Sequence, residues 1–303
     1  MIYTITFNPA IDYIIKMPKF QAGEINHSEK EYILPGGKGI NVSIVLKQLE
    51  QENVALGFIA GFVGEEIEKK LKEYGIKTDF IKIENENSRI NVKITTPAQE
   101  TAINARGPSI SNYHIEQLYQ KVQMLQDGDI LVLSGSIPKG LKEDIYENIC
   151  EKIKHKNIKI VVDACGDLLL KTLNYHPFLI KPNQEELEDL FDTKFSNKEE
   201  ASIYAKKLQQ KGAKNVLVSM GGQGAVIVDE TGHSYKKDAL NTDKRVNTVG
   251  AGDSMVAGFI AGYKLFNNYE KALQMGIAAA TATTTSIFLA TKNEINKYFS
   301  EYL

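Results

Sequence analysis

Apolar positions along the chain follow two alternating patterns. Short runs over residues 2–7, 54–59, 129–133, 158–162, 178–180 and 215–218 are rich in Ile, Val, Leu and Phe, and several are almost continuous in them. A strand covered on both faces needs that pattern, because neither side of its pleat meets water. Between these runs, Ile67, Leu71 and Tyr74, and then Ile145, Ile149 and Ile153, return at the spacing of one helix face. Strand and helix in alternation predict an α/β fold with a mostly parallel central sheet and helices on both faces. Such a sheet takes its ligands beyond the carboxyl ends of its strands. The polar and glycine-rich clusters fall there: Pro35-Gly-Gly-Lys-Gly39, Ser134-Gly-Ser136, Lys181-Pro-Asn183, Met220-Gly-Gly222 and Val249-Gly-Ala-Gly-Asp253. Two segments, about 11–34 and 77–104, break the alternation. Arg89-Ile-Asn-Val-Lys-Ile94 alternates polar with apolar residues and no strong helix intervenes, which fits half-exposed antiparallel strands. The expectation is one domain over residues 1–303, with these two segments forming a small β-sheet lid over the crevice.

Composition narrows the partners. With 36 basic and 38 acidic residues among 303, the net charge is −2, which provides no broad basic field for nucleic acid or an anionic membrane. Any polyanion must bind locally. Cys150 and Cys165 sit in or beside apolar stretches and read as reduced, buried thiols. The five histidines and two cysteines show no metal-ligand spacing, so no structural zinc is expected. The first residues lack the basic start and long apolar core of a signal peptide, and no run of about 18 apolar residues occurs. A cytoplasmic chain is expected.

Several clusters carry candidate chemistry. Residues 254–266 have Met255, Phe259 and Tyr263 on one helix face, which places Gly250, Ala251 and Gly252 at the helix N-terminus. Unpaired N–H groups and the positive end of the helix dipole make that turn an anion site. Asp253 would repel a resting phosphate there, and two roles fit it. It caps the helix, or it takes the proton from a hydroxyl that attacks a transferring phosphoryl group. Pro35-Gly-Gly-Lys-Gly39 opens a helix where Gly37 lets a ligand lie against backbone, with Lys38 and Asn41 as cation and two-way hydrogen-bonding group. It is not a Walker A loop, and plain turn chemistry also accounts for it. Asp12, just past the first strand, reads as a turn residue or as a clamp for sugar hydroxyls. Arg89 and Lys93 share strand parity and face a phosphate or simply guard an edge. Asn183 and Glu186 form either a helix cap or a station for a nucleotide's Mg²⁺, and residues 219–224 read as a hairpin turn.

Asp12, Gly36-Gly-Lys-Gly-Ile-Asn41, Lys181-Pro-Asn183 with Glu186, Ser219-Met-Gly-Gly-Gln-Gly224 and Asn247-Thr-Val-Gly-Ala-Gly-Asp253 occur in this order in the PfkB family of carbohydrate kinases, also called ribokinase-like. The chain resembles that family over essentially its whole length. Thr4-Ile-Thr-Phe-Asn-Pro-Ala-Ile-Asp12, Ser88-Arg-Ile-Asn-Val-Lys93, Leu133-Ser-Gly-Ser-Ile-Pro138 and the stretch from Val249 to Phe259 are most similar to the members that phosphorylate fructose 1-phosphate. Those acting on tagatose 6-phosphate are similar over most of the same motifs. The resemblance implies a ribokinase-like fold, Asp253 as catalytic base and an anion hole from the amides of Gly250, Ala251 and Gly252. It implies a phosphosugar held by Asp12, Gly37, Lys38, Asn41, Arg89, Asn91 and Ser136. ATP is then expected along Asn183, Glu186, Ser219, Gly221 and Gly224, with Mg²⁺ on its phosphates and Glu186 reaching that ion through water. A homodimer through the lid is expected as well. One departure stands out: Ala102-Ile-Asn-Ala-Arg-Gly-Pro108 replaces the usual Glu-Ile-Asn-Gly-Gln-Gly-Pro, losing an acid and adding Arg106. A catalytically silent sensor of nucleotide or sugar phosphate is the other reading, but a sensor has no need of Asp253.

Overall fold

The computed structural model describes residues 1–138, 140–242, 246 and 248–302; Asn247, quoted above with the glycine turn, lies outside the described residues. The expected α/β architecture is present. Across the large sheet the strands run Ser234–Lys237, Ala225–Val228, Asn215–Ser219, Leu179–Ile180, Lys159–Asp163, Ile130–Ser134, Ile2–Thr6, Asn53–Ala60 and Lys77–Thr78. All pairs are parallel except the two at the Ser234 edge. Strand Ile130–Ser134 shows why its sequence is continuously apolar: Leu131 and Leu133 bury into one helix layer, Ile130 and Val132 into the other.

The second sheet has the strand order Lys30–Gly36, Ala10–Lys16, Arg89–Thr95 and Glu100–Asn104. Three expectations need correction here. Asp12 lies within a lid strand, opposite Asn91, and not in a turn after the first strand. The central pair of the lid is parallel, because its two strands arrive from different crossovers of the large sheet; only the flanking pairs are antiparallel. The second lid segment starts at Arg89, not at residue 77. Lys77–Thr78 and Ile81–Ile83 extend the large sheet beside Asn53–Ala60, since Ile81 and Ile83 alternate into the main core.

Strand pairing sorts the lid into two faces. Asp12, Arg89, Asn91 and Lys93 share one; Ile11, Tyr13, Ile33, Ile90, Val92 and Ile103 share the other.

Helices Ala251–Phe266 and Tyr269–Thr285 pack along each other more closely than side chains would permit. A Cβ on Gly258 would stand 2.5 Å from the Met275 carbonyl oxygen and 2.9 Å from the Gly276 Cα. Gly258→Ala therefore sets two terms against each other. Alanine gains about 1 kcal/mol over glycine within a helix, whereas forcing backbone apart in a filled core costs about 3 kcal/mol. The variant is expected to lose about 2 kcal/mol of stability by urea unfolding; a rise in midpoint would show that the helices can separate freely.

Candidate active site

Helix Ala251–Phe266 begins from Gly250, whose φ of 80° is left-handed and whose missing Cβ would lie 2.6 Å from a Leu289 methyl. This geometry carries the chain into the helix with Asp253 in its first turn. Asp253 is buried and makes no capping hydrogen bond, so the cap reading fails. Its Oδ2 instead accepts from Asn41 Nδ2 at 2.8 Å, across from the start of helix Lys38–Gln48.

A second acid stands close by. Asp163 closes strand Lys159–Asp163 and is 1% exposed. The Lys181 ammonium lies 3.2 Å and the Lys38 ammonium 3.5 Å from the same Asp163 oxygen. Among the described residues neither oxygen of Asp163 has a hydrogen bond of good geometry, and the two ion pairs compensate its burial. Burial first, and the charge of Asp163 next, push the Asp253 carboxyl up to about 6; the Asn41 bond and the two ammonium groups pull against that rise. Loss of water works against the charge of Lys38, but Asp163, then Asp253 and Glu186, outweigh it and raise its pKa.

These groups line one cavity of about 970 Å³ that also takes in the lid face and the far strand ends. On the lid side, Asp12 Oδ1 accepts from Asn91 Nδ2 and Oδ2 from Lys93 Nζ, both at 2.9 Å. Lys93 is thereby paired with Asp12, which takes one of its three donors. Arg89 uses Nε on the Asn8 carbonyl at 3.1 Å, leaving the rest of its fork to the cavity. A Cβ on Gly36, the last residue of its strand, would come within 2.9 Å of the Asp12 carboxylate and displace it.

At the other end, Asn183 and Glu186 form a reciprocal capping box: Asn183 Oδ1 accepts from the Glu186 amide at 2.7 Å, and Glu186 Oε2 from the Asn183 amide at 2.8 Å. The capping role is real and uses one Glu186 oxygen. Ser219 bridges to Asn183 through backbone, and Gly221 and Gly224 complete that end of the cavity.

The cavity thus gathers Asp12, Gly37, Lys38, Asn41, Arg89 and Asn91 from the sugar set. From the nucleotide and catalytic sets it gathers Asn183, Glu186, Ser219, Gly221, Gly224, Gly250, Ala251, Gly252 and Asp253. Ser136 is exposed and does not line it; Cys150 is buried as expected, but Cys165 is exposed, because it stands at the start of the short helix Gly166–Leu170 after its strand has ended. Sequence reasoning missed Asp163 and Lys181. Each had a signal: Asp163 is the first charge after an apolar run, at the strand end where such sheets bind ligands, and Lys181 stands in the Lys-Pro-Asn cluster.

Comparison with known proteins finds relatives over nearly the full length of the chain. Residues 5–295 match the pfkB family carbohydrate kinase model. The chain is 43% identical to 1-phosphofructokinase of Bacillus subtilis (strain 168), covering 99% of this chain and 98% of that protein. It is 36% identical to the D-tagatose-1-phosphate kinase of Bacillus licheniformis, with 99% and 98% covered. Among solved structures, phosphofructokinase-2 from Escherichia coli in complex with substrates and products superposes with a TM-score of 0.92 at 27% identity, covering 99% and 98% of the two chains.

The raised carboxyl of Asp253 has a stability consequence. Its folded pKa, about 6, exceeds the ordinary aspartate value, so the native state holds the proton more tightly. Stability from this group is complete below about pH 4 and is lost as pH rises through about 6. Asp253→Asn removes that penalty. The variant is expected to melt above the wild type at pH 8, by on the order of 1–3 kcal/mol, and the gap should close as pH falls toward 4. Equal melting at pH 8 would mean that Asp253 is not held against its charge.

Proposed function

The chain belongs to the pfkB family of carbohydrate kinases, and from that premise we propose that it transfers the γ-phosphoryl group of ATP to the C6 hydroxyl of fructose 1-phosphate. The products are fructose 1,6-bisphosphate and ADP. The observation that carries this reading is Asp253: a buried acid raised to about 6, behind a helix-start turn, in one cavity with an acidic clamp and an arginine. A carboxyl titrating near 6 is ionised at neutral pH yet basic enough to take a proton in the transition state.

The C6 hydroxyl gives its proton to Asp253 as its oxygen attacks the γ-phosphorus, and the bond to the β-phosphate oxygen breaks as ADP leaves. Among the described residues, the amides of Gly252 and Asp253 have no hydrogen-bond partner, and that of Ala251 makes only a long contact of 3.4 Å to the Thr248 carbonyl. Those donors, with Lys38 and Lys181, face the charge that develops on the phosphoryl oxygens. Asp12, held by Asn91 and Lys93, accepts from sugar hydroxyls, and Arg89 meets the 1-phosphate. Ser136, outside the cavity, has no part in this assignment.

Mg²⁺ fits the donor set. The capping box leaves Glu186 Oε1 for a water of a nucleotide-bound ion, and Mg²⁺ commonly keeps waters while using one or two carboxylates and the phosphates. When bound it neutralises phosphate charge.

A tagatose 1-phosphate substrate is the second reading, favoured by the Bacillus licheniformis relative. The two sugars differ at C4 and present the same charged end. Among the described residues no helix is long and apolar enough to cross a membrane, and we place the protein in the cytoplasm.

Two copies pair through the lid in this proposal. Its outer face leaves Ile33, Ile90 and Ile103 at 49%, 38% and 59% exposure, and Ile33 and Ile90 line a groove of about 630 Å³ together with Phe62. An apolar sheet face of that kind marks an interface.

The reading is tested by ADP release with fructose 1-phosphate, tagatose 1-phosphate, fructose 6-phosphate and tagatose 6-phosphate. Fructose 1-phosphate is expected to give the highest kcat/KM; binding without turnover for every sugar would favour a sensor. Asp253→Asn should lower kcat by about 10²–10⁴ and leave both substrates binding within a few fold. Arg89→Ala should lower kcat/KM for fructose 1-phosphate by about 2–4 kcal/mol, almost wholly through KM, and leave KM for ATP unchanged. An equal loss with unphosphorylated fructose would show that Arg89 supports the lid. Ile33→Asp should shift the protein from dimer to monomer in sedimentation, and an unshifted dimer would place the interface elsewhere.

A further inference from the structure

Ser254 follows Asp253, is fully buried, and takes no part in the mechanism above. Its hydroxyl lies 2.8 Å from the Gly250 carbonyl oxygen, to which it donates, and 2.8 Å from Thr283 Oγ1. Thr283 is equally buried and accepts from the Ala290 amide at 3.2 Å. A hydroxyl has one proton to give. Since Ser254 donates to Gly250, Thr283 must donate to Ser254. The four groups therefore form a one-way chain: the Ala290 N–H to the Thr283 hydroxyl, to the Ser254 hydroxyl, to the Gly250 carbonyl.

A serine that bonds back to the carbonyl four residues earlier is common in helices. Two features set this one apart. The carbonyl belongs to the peptide unit that joins Gly250 to Ala251, the unit that opens the anion turn, and it also accepts the Ser254 amide at 2.8 Å. The chain also crosses between helices, tying that peptide to the end of helix Tyr269–Thr285 and to the segment after it. The same segment supplies Leu289, whose methyl lies against Gly250. Gly250 has no side chain to hold its left-handed conformation, and glycine moves readily among backbone wells. Bonds in series with aligned dipoles polarise one another.

We propose that Ser254 and Thr283 are positioning residues for phosphoryl transfer, fixing the Gly250–Ala251 peptide plane so that the following amides point at the transferring group. This inference rests on the kinase reading. The relay matters in the transition state, when charge on the phosphoryl oxygens is greatest, and much less in the ground-state complex.

The test uses Ser254→Ala, Thr283→Val, which keeps shape and loses the hydroxyl, Thr283→Ser, which keeps the hydroxyl and loses a methyl, and the Ser254→Ala/Thr283→Val pair. Ser254→Ala and Thr283→Val are each expected to lower kcat about 10- to 100-fold with both KM values within about threefold. Thr283→Ser should stay near wild type, and the double variant should lose little more than either single, as members of one unit do. A purely structural role predicts the reverse order, with Thr283→Ser harmed through its packing. Amide exchange in the protein without substrates supplies a readout independent of turnover. Peptides over residues 248–255 should exchange about tenfold faster or more in the two hydroxyl-deleting variants, while those of strand Ile130–Ser134 stay unchanged. Exchange that is unaltered, or that rises throughout the chain, overturns the proposal, as does unchanged kcat in an active enzyme. If the wild type releases no ADP with any sugar phosphate, the kinase reading falls, and the exchange pattern alone decides whether the relay sets the turn.

Discussion

Two buried carboxylates, Asp163 and Asp253, gathered with the buried Lys181 and the more open Lys38 at the carboxyl ends of parallel strands, are what the rest of this structure serves. Asp163 and Asp253 balance Lys38 and Lys181 in charge, yet the cluster is not electrostatically relaxed. Among the described residues Asp163 has ion pairs but no hydrogen bond of good geometry, and Asp253 has one side-chain hydrogen bond and a carboxyl raised by burial and then by Asp163. Burying such groups is expensive unless each is compensated, so every element that brings one must hold it firmly. Lys159–Asp163 does so as a strand covered on both faces, and Ala251–Phe266 as a helix wedged against its neighbour through Gly258. Strain of this kind persists where function uses it, and under the proposed kinase reading a base that must be ready to accept a proton is such a use.

The lid meets the opposite demand. Its strands alternate, so one set of positions places Asp12, Arg89 and Asn91 on the cavity, with Lys93 held on Asp12, while the other presents isoleucines outward. One hydrogen-bonded sheet therefore both lines the cavity and carries an apolar face. Pairing Ala10–Lys16 parallel to Arg89–Thr95 sets Asp12 directly opposite Asn91. A slip by one residue would exchange the two faces.

Much of this was legible in the order of residues. Continuous apolar runs identified the buried strands, because a doubly covered strand has no polar face to show. The helix behind Asp253 and the glycine turn before it were readable because helical spacing and left-handed backbone leave compositional marks. The chemistry of the cavity was readable in kind, since glycines, an acid and a lysine cluster where such sheets bind ligands.

What the order of residues could not decide was partnership between residues far apart in the chain. Whether Asp12 sits in a turn or a strand depends on a pairing with residues about 80 positions away. That Lys93 pairs with Asp12 is likewise decided by the fold. Asp163 became part of the site through Lys38 and Lys181, and Asp253 proved to be more than a cap because Asn41, 212 residues earlier, reaches its oxygen. Local pattern determines which elements form, since backbone periodicity and side-chain burial act over a few residues. Charge state and hydrogen-bond partners are set by whatever lies within a few ångströms, and only the tertiary structure determines that.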